Sequence, residues 1–219
     1  MSNRRKLSPP PHPSPTVTRS PIWQRPAVWI AALVVVAGAI ALLVAAGNDA
    51  DSGDRPAETA FAELIGTPLA PFAQPDPGIG QPVPDLSAQT LTGERVRVGG
   101  DDTARIYAFF AHWCPHCQAD LPRTTAWLEN NQLPEGVEII AVSTAVNRTG
   151  DNYPPSEWFE REGWPEPVLL DDDDGTLATG MGLTGFPYWV AADRDGTVVA
   201  RVAGELDDSG LEALISAVS

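Results

Sequence analysis

Residues 105–122 read RIYAFFAHWCPHCQADLP, and this stretch decides the fold. Its first part, residues 105–110, is apolar on both faces, which is typical of a strand buried at the centre of a sheet. A helix is predicted from Pro115 toward Asn130, because Cys117 and later apolar residues recur on one stripe. The stretch therefore predicts a central strand that leads through a short turn into a helix, with two cysteines at the turn.

Further elements are predicted on both sides of this stretch. They are a turn at 91–94, strands at 95–98, 137–142, 187–192 and 197–202, short helices at 156–163 and 176–181, and a final helix that starts near residue 207. The last two strands are joined by a DRDG turn, a hairpin signal. This order predicts an α/β fold in which helices flank a central mixed β-sheet.

The N-terminal part of the chain has a different composition. Residues 1–26 hold five basic residues, seven prolines and no acid, and predict a Pro-rich basic cytoplasmic tail. Residues 27–46 carry no charge and are long enough to cross the ~30 Å core of a bilayer as one helix. We expect a Pro-rich linker at residues 47–79, interrupted by a short helix at 58–65, and a folded domain at residues 80–219.

The distribution of charge predicts the topology. Basic residues precede the apolar segment, so the positive-inside rule places the N-terminus in the cytoplasm and the folded domain on the periplasmic or cell-wall side. The expected protein is anchored in the cell membrane by a single pass. A cleaved signal peptide is the alternative, since Val44-Ala45-Ala46 is a small-residue ending compatible with signal peptidase.

The composition also excludes several classes of protein. After residue 26 the chain has nine basic and 29 acidic residues, and an acidic surface of this kind repels nucleic acid. Two cysteines and three histidines are too few for a disulfide-rich scaffold or a multi-finger zinc protein. We expect no bound metal, because a zinc site needs four ligands. We also expect no cofactor.

The CPHC sequence points to thiol chemistry. Cys114 is expected at the first turn of the helix, where unpaired amides and the helix dipole favour a thiolate. Pro115 suits the first helical position, and His116 can add a positive charge or an N–H donor beside the sulfur. Cys117 lies one turn further, on the stripe that faces the core. An exposed nucleophile and a shielded resolving thiol are therefore predicted as the catalytic pair, and together they form a redox-active disulfide.

Residues 107–122, YAFFAHWCPHCQADLP, resemble the thioredoxin superfamily, and most of all its membrane-anchored members of the TlpA/ResA type. The resemblance covers residues 80–219. It implies a thioredoxin-like fold and a thiol-disulfide oxidoreductase that acts on client proteins with thiols or disulfides. It also implies a membrane redox partner that recharges the dithiol.

The resemblance also assigns substrate-binding residues. Phe186-Pro187 stands where the superfamily carries its cis-proline, whose loop binds substrate backbone and keeps metals off the thiols. Trp113, beside the nucleophile, is expected to contribute to the same docking surface.

Two departures from the family concern redox tuning. Ala108 occupies the position of the buried aspartate of cytoplasmic thioredoxins, whereas Asp120 falls where ResA-like proteins carry a glutamate. Asp120 either serves the resolving cysteine or is a solvated helix residue. The dipeptide Pro115-His116 resembles that of DsbA-type oxidases, which implies a stabilised thiolate and an oxidising couple.

Three functions follow from the CPHC pattern together with the resemblance to the family. The first is an enzyme that oxidises or isomerises disulfides in client proteins. The second is a reductant of apocytochrome c or similar clients. The third is a copper-delivery module, since two thiolates suit Cu(I), although the later histidine of related copper chaperones is absent.

Overall fold

A computed structural model describes residues 57–165 and 167–219 of the chain. The strands are β1 (Ala62–Ile65), β2 (Asp85–Thr90), β3 (Arg95–Val98), β4 (Ala104–Phe110), β5 (Val137–Ser143), β6 (Val168–Leu170), β7 (Tyr188–Ala192) and β8 (Val198–Ala203). The helices are α1 (Pro115–Asn130), α2 (Pro155–Arg161), α3 (Thr176–Gly180) and α4 (Asp208–Val218). The predicted tail at 1–26 and the predicted membrane segment at 27–46 lie outside the described residues. Among the helices described, none is long and apolar enough to cross a bilayer.

The strands of the described residues form one mixed sheet, as predicted. Its order is β1-β2-β6-β5-β4-β7-β8, and β3 pairs with β2 beside this path. The central strand β4 is parallel to β5 and antiparallel to β7. These pairings bring the carboxyl end of β4 next to the start of β7, since Phe109 lies opposite Tyr188. The turn that carries the cysteines and the loop that carries Pro187 therefore meet at one edge of the sheet.

Both faces of β4 are buried, which explains the run of apolar and aromatic residues from Ile106 to Phe110. On one face, Ile106 and Phe110 belong to a core cluster that includes Leu121 of α1 and residues of α2 and α4. On the other face, Tyr107 and Phe109 pack in a second cluster with residues of α3. The helices thus cover the sheet on both sides and hold the end of β4 in place.

The N-terminal boundary of the folded domain differs from the prediction. Residues 62–65 form strand β1, paired antiparallel with β2, so the short helix predicted at 58–65 is wrong. The free edge of β2 offers backbone partners that override a local helical preference. Further on, the Leu69 N–H donates to the Gly180 carbonyl at 2.9 Å, and the buried Arg201 guanidinium binds the Asp76 carboxylate. Much of the segment predicted as a linker at 47–79 is therefore part of the domain; its residues 47–56 lie outside the described residues.

Candidate active site

The two cysteines lie at the junction of β4 and α1. Cys114 is the N-cap residue of α1 with extended backbone, and Pro115 is the first helical residue, as the sequence predicted. Both cysteines are free thiols. Cys117 is fully buried, whereas Cys114 keeps 7% of its surface exposed. The expectation of an openly exposed Cys114 is therefore wrong in extent, because its side chain packs in the same cluster as Phe110. Cys114 is still the more accessible thiol of the pair.

The surroundings of Cys117 disfavour its thiolate. Burial raises the pKa of the Cys117 thiol well above its ordinary value, and the nearby Cys114 and Asp120 raise it further. The backbone N–H of Ala111 donates to the Cys117 Sγ at 3.5 Å and lowers this pKa, but by less than burial raises it. Deprotonation of Cys117 consequently needs a base close by.

Asp120 is that nearby titratable group. Its side chain is fully buried on α1, so the interpretation of Asp120 as a solvated helix residue is wrong. Burial raises the pKa of the Asp120 carboxyl to about 6, against the lowering effects of the Leu206 N–H and Arg123. The Leu206 N–H donates to Oδ2 at 3.3 Å, and Arg123 Nη1 lies 3.2 Å from Oδ1. Asp120 can therefore gain or lose a proton near neutral pH.

The indole of Trp189 lies beside the same carboxylate. It lowers the pKa of Asp120, yet its buried Nε1 makes no hydrogen bond of standard geometry within the described residues. The carboxylate is thus held mainly by one backbone amide and one arginine, which is a sparse set of donors for a buried charge.

His116 lies on the outer side of the turn, with 69% of its side chain exposed. Its Nδ1 is 2.6 Å from Glu205 Oε1, and Arg123 Nη2 is 3.5 Å from Glu205 Oε2. The hydrogen bond from His116 is the main reason that the pKa of Glu205 is lowered. The His116 ring, expected beside the sulfur, is therefore paired with a carboxylate. Sequence reasoning missed Glu205, which is 89 residues away from His116 and carries no local signal.

Trp113 and Phe186, which precede Cys114 and Pro187 in the chain, pack against each other. The Trp113 side chain is exposed, and its ring meets the Phe186 ring edge-on with centroids 6.0 Å apart. The Phe186–Pro187 peptide bond is cis, in agreement with the expectation from the resemblance. A shallow depression lined by His116, Gly185, Phe186 and Glu205 adjoins these rings. The arrangement joins an accessible thiol to an apolar surface that a polypeptide could contact.

Comparison with known proteins identifies the family. The model of the Redoxin family matches residues 79–215. The thiol:disulfide interchange protein DsbE of Escherichia coli (strain K12) is 28% identical over 186 residues, which cover 84% of this chain and 88% of that protein. DsbE of Pseudomonas aeruginosa is 27% identical over 144 residues, which cover 66% of this chain and 69% of that protein.

Two solved structures share the fold. StoA from Bacillus subtilis superposes with a TM-score of 0.51 at 18% identity, over 63% of this chain and 98% of that one. A thiol:disulfide interchange protein of the thioredoxin family from Chlorobium tepidum gives a TM-score of 0.51 at 18% identity, over 76% of this chain and 99% of that one. These matches confirm the resemblance to the thioredoxin superfamily. The chain belongs to the Redoxin family and is a thiol-disulfide oxidoreductase with a thioredoxin-like α/β fold.

Proposed function

We propose that the protein exchanges disulfides with client proteins through Cys114 and Cys117. The observation that carries this assignment is the difference in access: Cys114 caps α1 and reaches the surface, whereas Cys117 is fully buried. Cys114 is the nucleophile, because a client sulfur can approach only the accessible thiol. Cys117 is the resolving thiol.

The exchange proceeds in two steps. The Cys114 thiolate attacks one sulfur of a client disulfide, which forms a mixed disulfide and releases the other client sulfur as a thiolate. Cys117 then loses its proton and attacks the Cys114 Sγ, which forms the Cys114–Cys117 disulfide and releases the reduced client. The reverse sequence leaves the client oxidised and the protein as a dithiol.

Asp120 serves the second step as the base for Cys117. Support comes from two observations: Asp120 is buried on the same helix and raises the pKa of Cys117, and its own pKa is about 6. A carboxylate with this pKa is mostly ionised at neutral pH and can accept the thiol proton, either directly or through water. In the reverse direction the protonated carboxyl returns the proton to the Cys117 sulfur.

The favoured direction in the cell is oxidation or isomerisation of client disulfides. Pro115-His116 and the helix N-terminus at Cys114 support this direction, because both favour the thiolate and so stabilise the dithiol form. The second candidate is reduction of apocytochrome c or similar clients. Glu205 favours that candidate, because its carboxylate binds the His116 ring and adds a negative charge near the turn, which weakens stabilisation of the thiolate.

The support for a copper-delivery role is the sequence argument that two thiolates suit Cu(I). In residues 57–165 and 167–219, no group of three or more His, Cys, Asp or Glu side chains is arranged to hold a metal ion. His116 is paired with Glu205, and both ring nitrogens of His112 lie within hydrogen-bonding distance of backbone groups.

We further propose that the domain works outside the cytoplasm, is held by an anchor at residues 27–46, and is recharged by a membrane redox partner. The charge-free segment and the basic tail support this topology. The full-length protein should stay with membranes after a carbonate wash, and protease added from outside should digest the domain. Recovery of a soluble form that begins near residue 47 would show that the segment is a cleaved signal peptide.

Trapping of clients tests the roles of the two cysteines. Cys117→Ser should accumulate mixed disulfides through Cys114, because no resolving thiol remains. Cys114→Ser should trap almost no client, because the remaining thiol is buried. Trapped species are counted on non-reducing gels and located by peptide mass. Equal trapping by both variants would contradict the assignment of nucleophile and resolver.

A further inference from the structure

We propose that His112 is a positioning residue for exchange with clients: it fixes the loop of residues 145–153 against Trp113 and so sets the aromatic part of the docking surface. The inference rests on the proposed function of Cys114 and Cys117. His112 lies two residues before Cys114, and its side chain is 1% exposed.

Both ring nitrogens of His112 bind the backbone of the 145–153 loop. Nδ1 lies 2.6 Å from the Asp151 carbonyl oxygen, and Nε2 accepts the Asn147 N–H at 3.0 Å. A carbonyl can only accept and an amide N–H can only donate, so these partners require a neutral ring with its proton on Nδ1. The imidazole therefore bridges two points of the loop four residues apart.

The backbone of His112 is tied to the same region. Its carbonyl oxygen accepts hydrogen bonds from Gln118 Nε2 at 2.9 Å and from Asn152 Nδ2 at 3.3 Å. The Asn152 side chain also accepts a hydrogen bond from Arg161 of α2. One histidine thus connects the turn before Cys114, the start of α1 and the loop.

The loop in turn holds Trp113. The indole Nε1 donates to the Ala145 carbonyl at 2.7 Å. Ala145 has a φ of 51°, a left-handed conformation that alanine adopts only where its surroundings impose it. Gly150 lies so close that a Cβ built on it would come within 2.7 Å of the Trp113 Cβ. The loop therefore contacts Trp113 at the indole Nε1 and at the Cβ, and so fixes the position of the ring.

These contacts link a buried imidazole to the client-facing surface. Trp113 packs edge-on against Phe186, the residue before Pro187. Tyr153, at the end of the loop, is 38% exposed, and its ring centroid lies 6.0 Å from that of His112. The surface organised by His112 thus offers exposed aromatic side chains beside Cys114. Its ligand is a client segment that carries apolar side chains next to its reacting cysteine.

The test compares a peptide client with a small thiol. The peptide is synthetic, carries one disulfide flanked by apolar residues, and is mixed with the dithiol form of the protein. The small thiol is dithiothreitol, which needs no docking surface and is mixed with the disulfide form. We expect His112→Ala to slow exchange with the peptide by about tenfold, the size expected for the loss of two hydrogen bonds, with the dithiothreitol rate within about twofold of wild type. His112→Asn keeps one polar group near Nδ1 and should give an intermediate peptide rate.

Two further variants separate positioning from stability. Gly150→Ala places a methyl group within 2.7 Å of the Trp113 Cβ and 3.3 Å from Asn147, so it disturbs the contact between the loop and Trp113 while the imidazole is kept, and it should reproduce the loss that is specific to the peptide. Arg105→Ala removes ion pairs to Asp101 and Glu138 at the opposite end of β4, and it should leave both rates unchanged.

A double variant shows whether His112 acts through Trp113. On a Trp113→Ala background, His112→Ala should cause no further fall in the peptide rate. Equal losses with peptide and dithiothreitol, or additive losses in the double variant, would overturn the positioning role. A wild-type protein that exchanges with neither substrate would instead reject the proposed function itself.

Discussion

The pKa values of the two carboxylates that contact Arg123, those of Asp120 and Glu205, are shifted in opposite directions. Asp120 lies 3.2 Å from Nη1 and is fully buried, and its pKa is raised to about 6. Glu205 lies 3.5 Å from Nη2 at the surface, and its pKa is lowered, mainly by its hydrogen bond to His116. Burial, and not the shared arginine, therefore decides the sign of the pKa shift. The buried acid is suited to proton transfer, and the exposed acid to tuning of charge.

The largest effect expected from this contrast is on stability. Because the pKa of Asp120 is higher in the folded protein than its ordinary value of 3.8, ionisation of Asp120 costs folding free energy. That cost is absent at low pH, grows as the pH rises from about 4 to 6, and is complete above 6. Asp120→Asn should therefore raise the free energy of unfolding at pH 7.5 by about 2–3 kcal/mol.

Urea denaturation at several pH values measures this gain. The difference between Asp120→Asn and wild type should shrink as the pH falls through 6 toward 4. Glu129→Gln is the matched control, because Glu129 is an exposed acid on the same helix and should change stability little at any pH. A gain that is the same at every pH would show that ionisation of Asp120 is not its cause.

A smaller effect is expected on the resolving step. Without the Asp120 carboxylate, Cys117 keeps its proton longer, so Asp120→Asn should slow resolution of the mixed disulfide by at least about tenfold at pH 7. In wild type the rate of this step should rise with pH through about 6, as Asp120 ionises. Quenched-flow measurement of the mixed disulfide with a peptide client gives both results. An unchanged rate in the variant would remove Asp120 from the reaction.

The smallest effect concerns the exposed acid. Glu205→Gln removes a negative charge beside His116, which favours the Cys114 thiolate and should make the disulfide more oxidising by roughly 10–20 mV. His116→Pro should shift the potential toward the reducing end by a similar amount, because it removes a ring that can place a positive charge or an N–H donor beside the sulfur. Equilibration with glutathione measures both shifts. Shifts of the same sign in the two variants would contradict the pairing of His116 with Glu205.

The sequence predicted the central elements because their patterns are local. Strand β4 is a run of apolar and aromatic residues from Ile106 to Phe110, the hairpin of β7 and β8 has a DRDG turn, and α4 begins at a side-chain cap, Asp207. The three-residue strand β6 was missed, since it is too short for a periodic signal. Residues 62–65 form strand β1 instead of the predicted helix, because the strand with which they pair is distant in the chain.

At the site, too, local features follow from the sequence, whereas contacts between distant residues do not. The spacing of Cys114 and Cys117 on α1 follows from helical geometry, and so does the burial of Cys117. The burial of Asp120 does not, because Leu206 and Trp189 cover its carboxylate from the other end of the chain. The contacts of His112 span 35 and 39 residues, so sequence spacing gives no sign of them.

The redox potential of the Cys114–Cys117 couple tests the central claim most directly. The purified protein is equilibrated with glutathione buffers, and the fraction of disulfide is read from the mass of alkylated protein. We expect one two-electron transition, between the values of about −270 mV for thioredoxin and about −120 mV for DsbA. A potential at or below that of thioredoxin would contradict the oxidising direction and favour the reductant, and the absence of any transition would contradict the exchange chemistry itself.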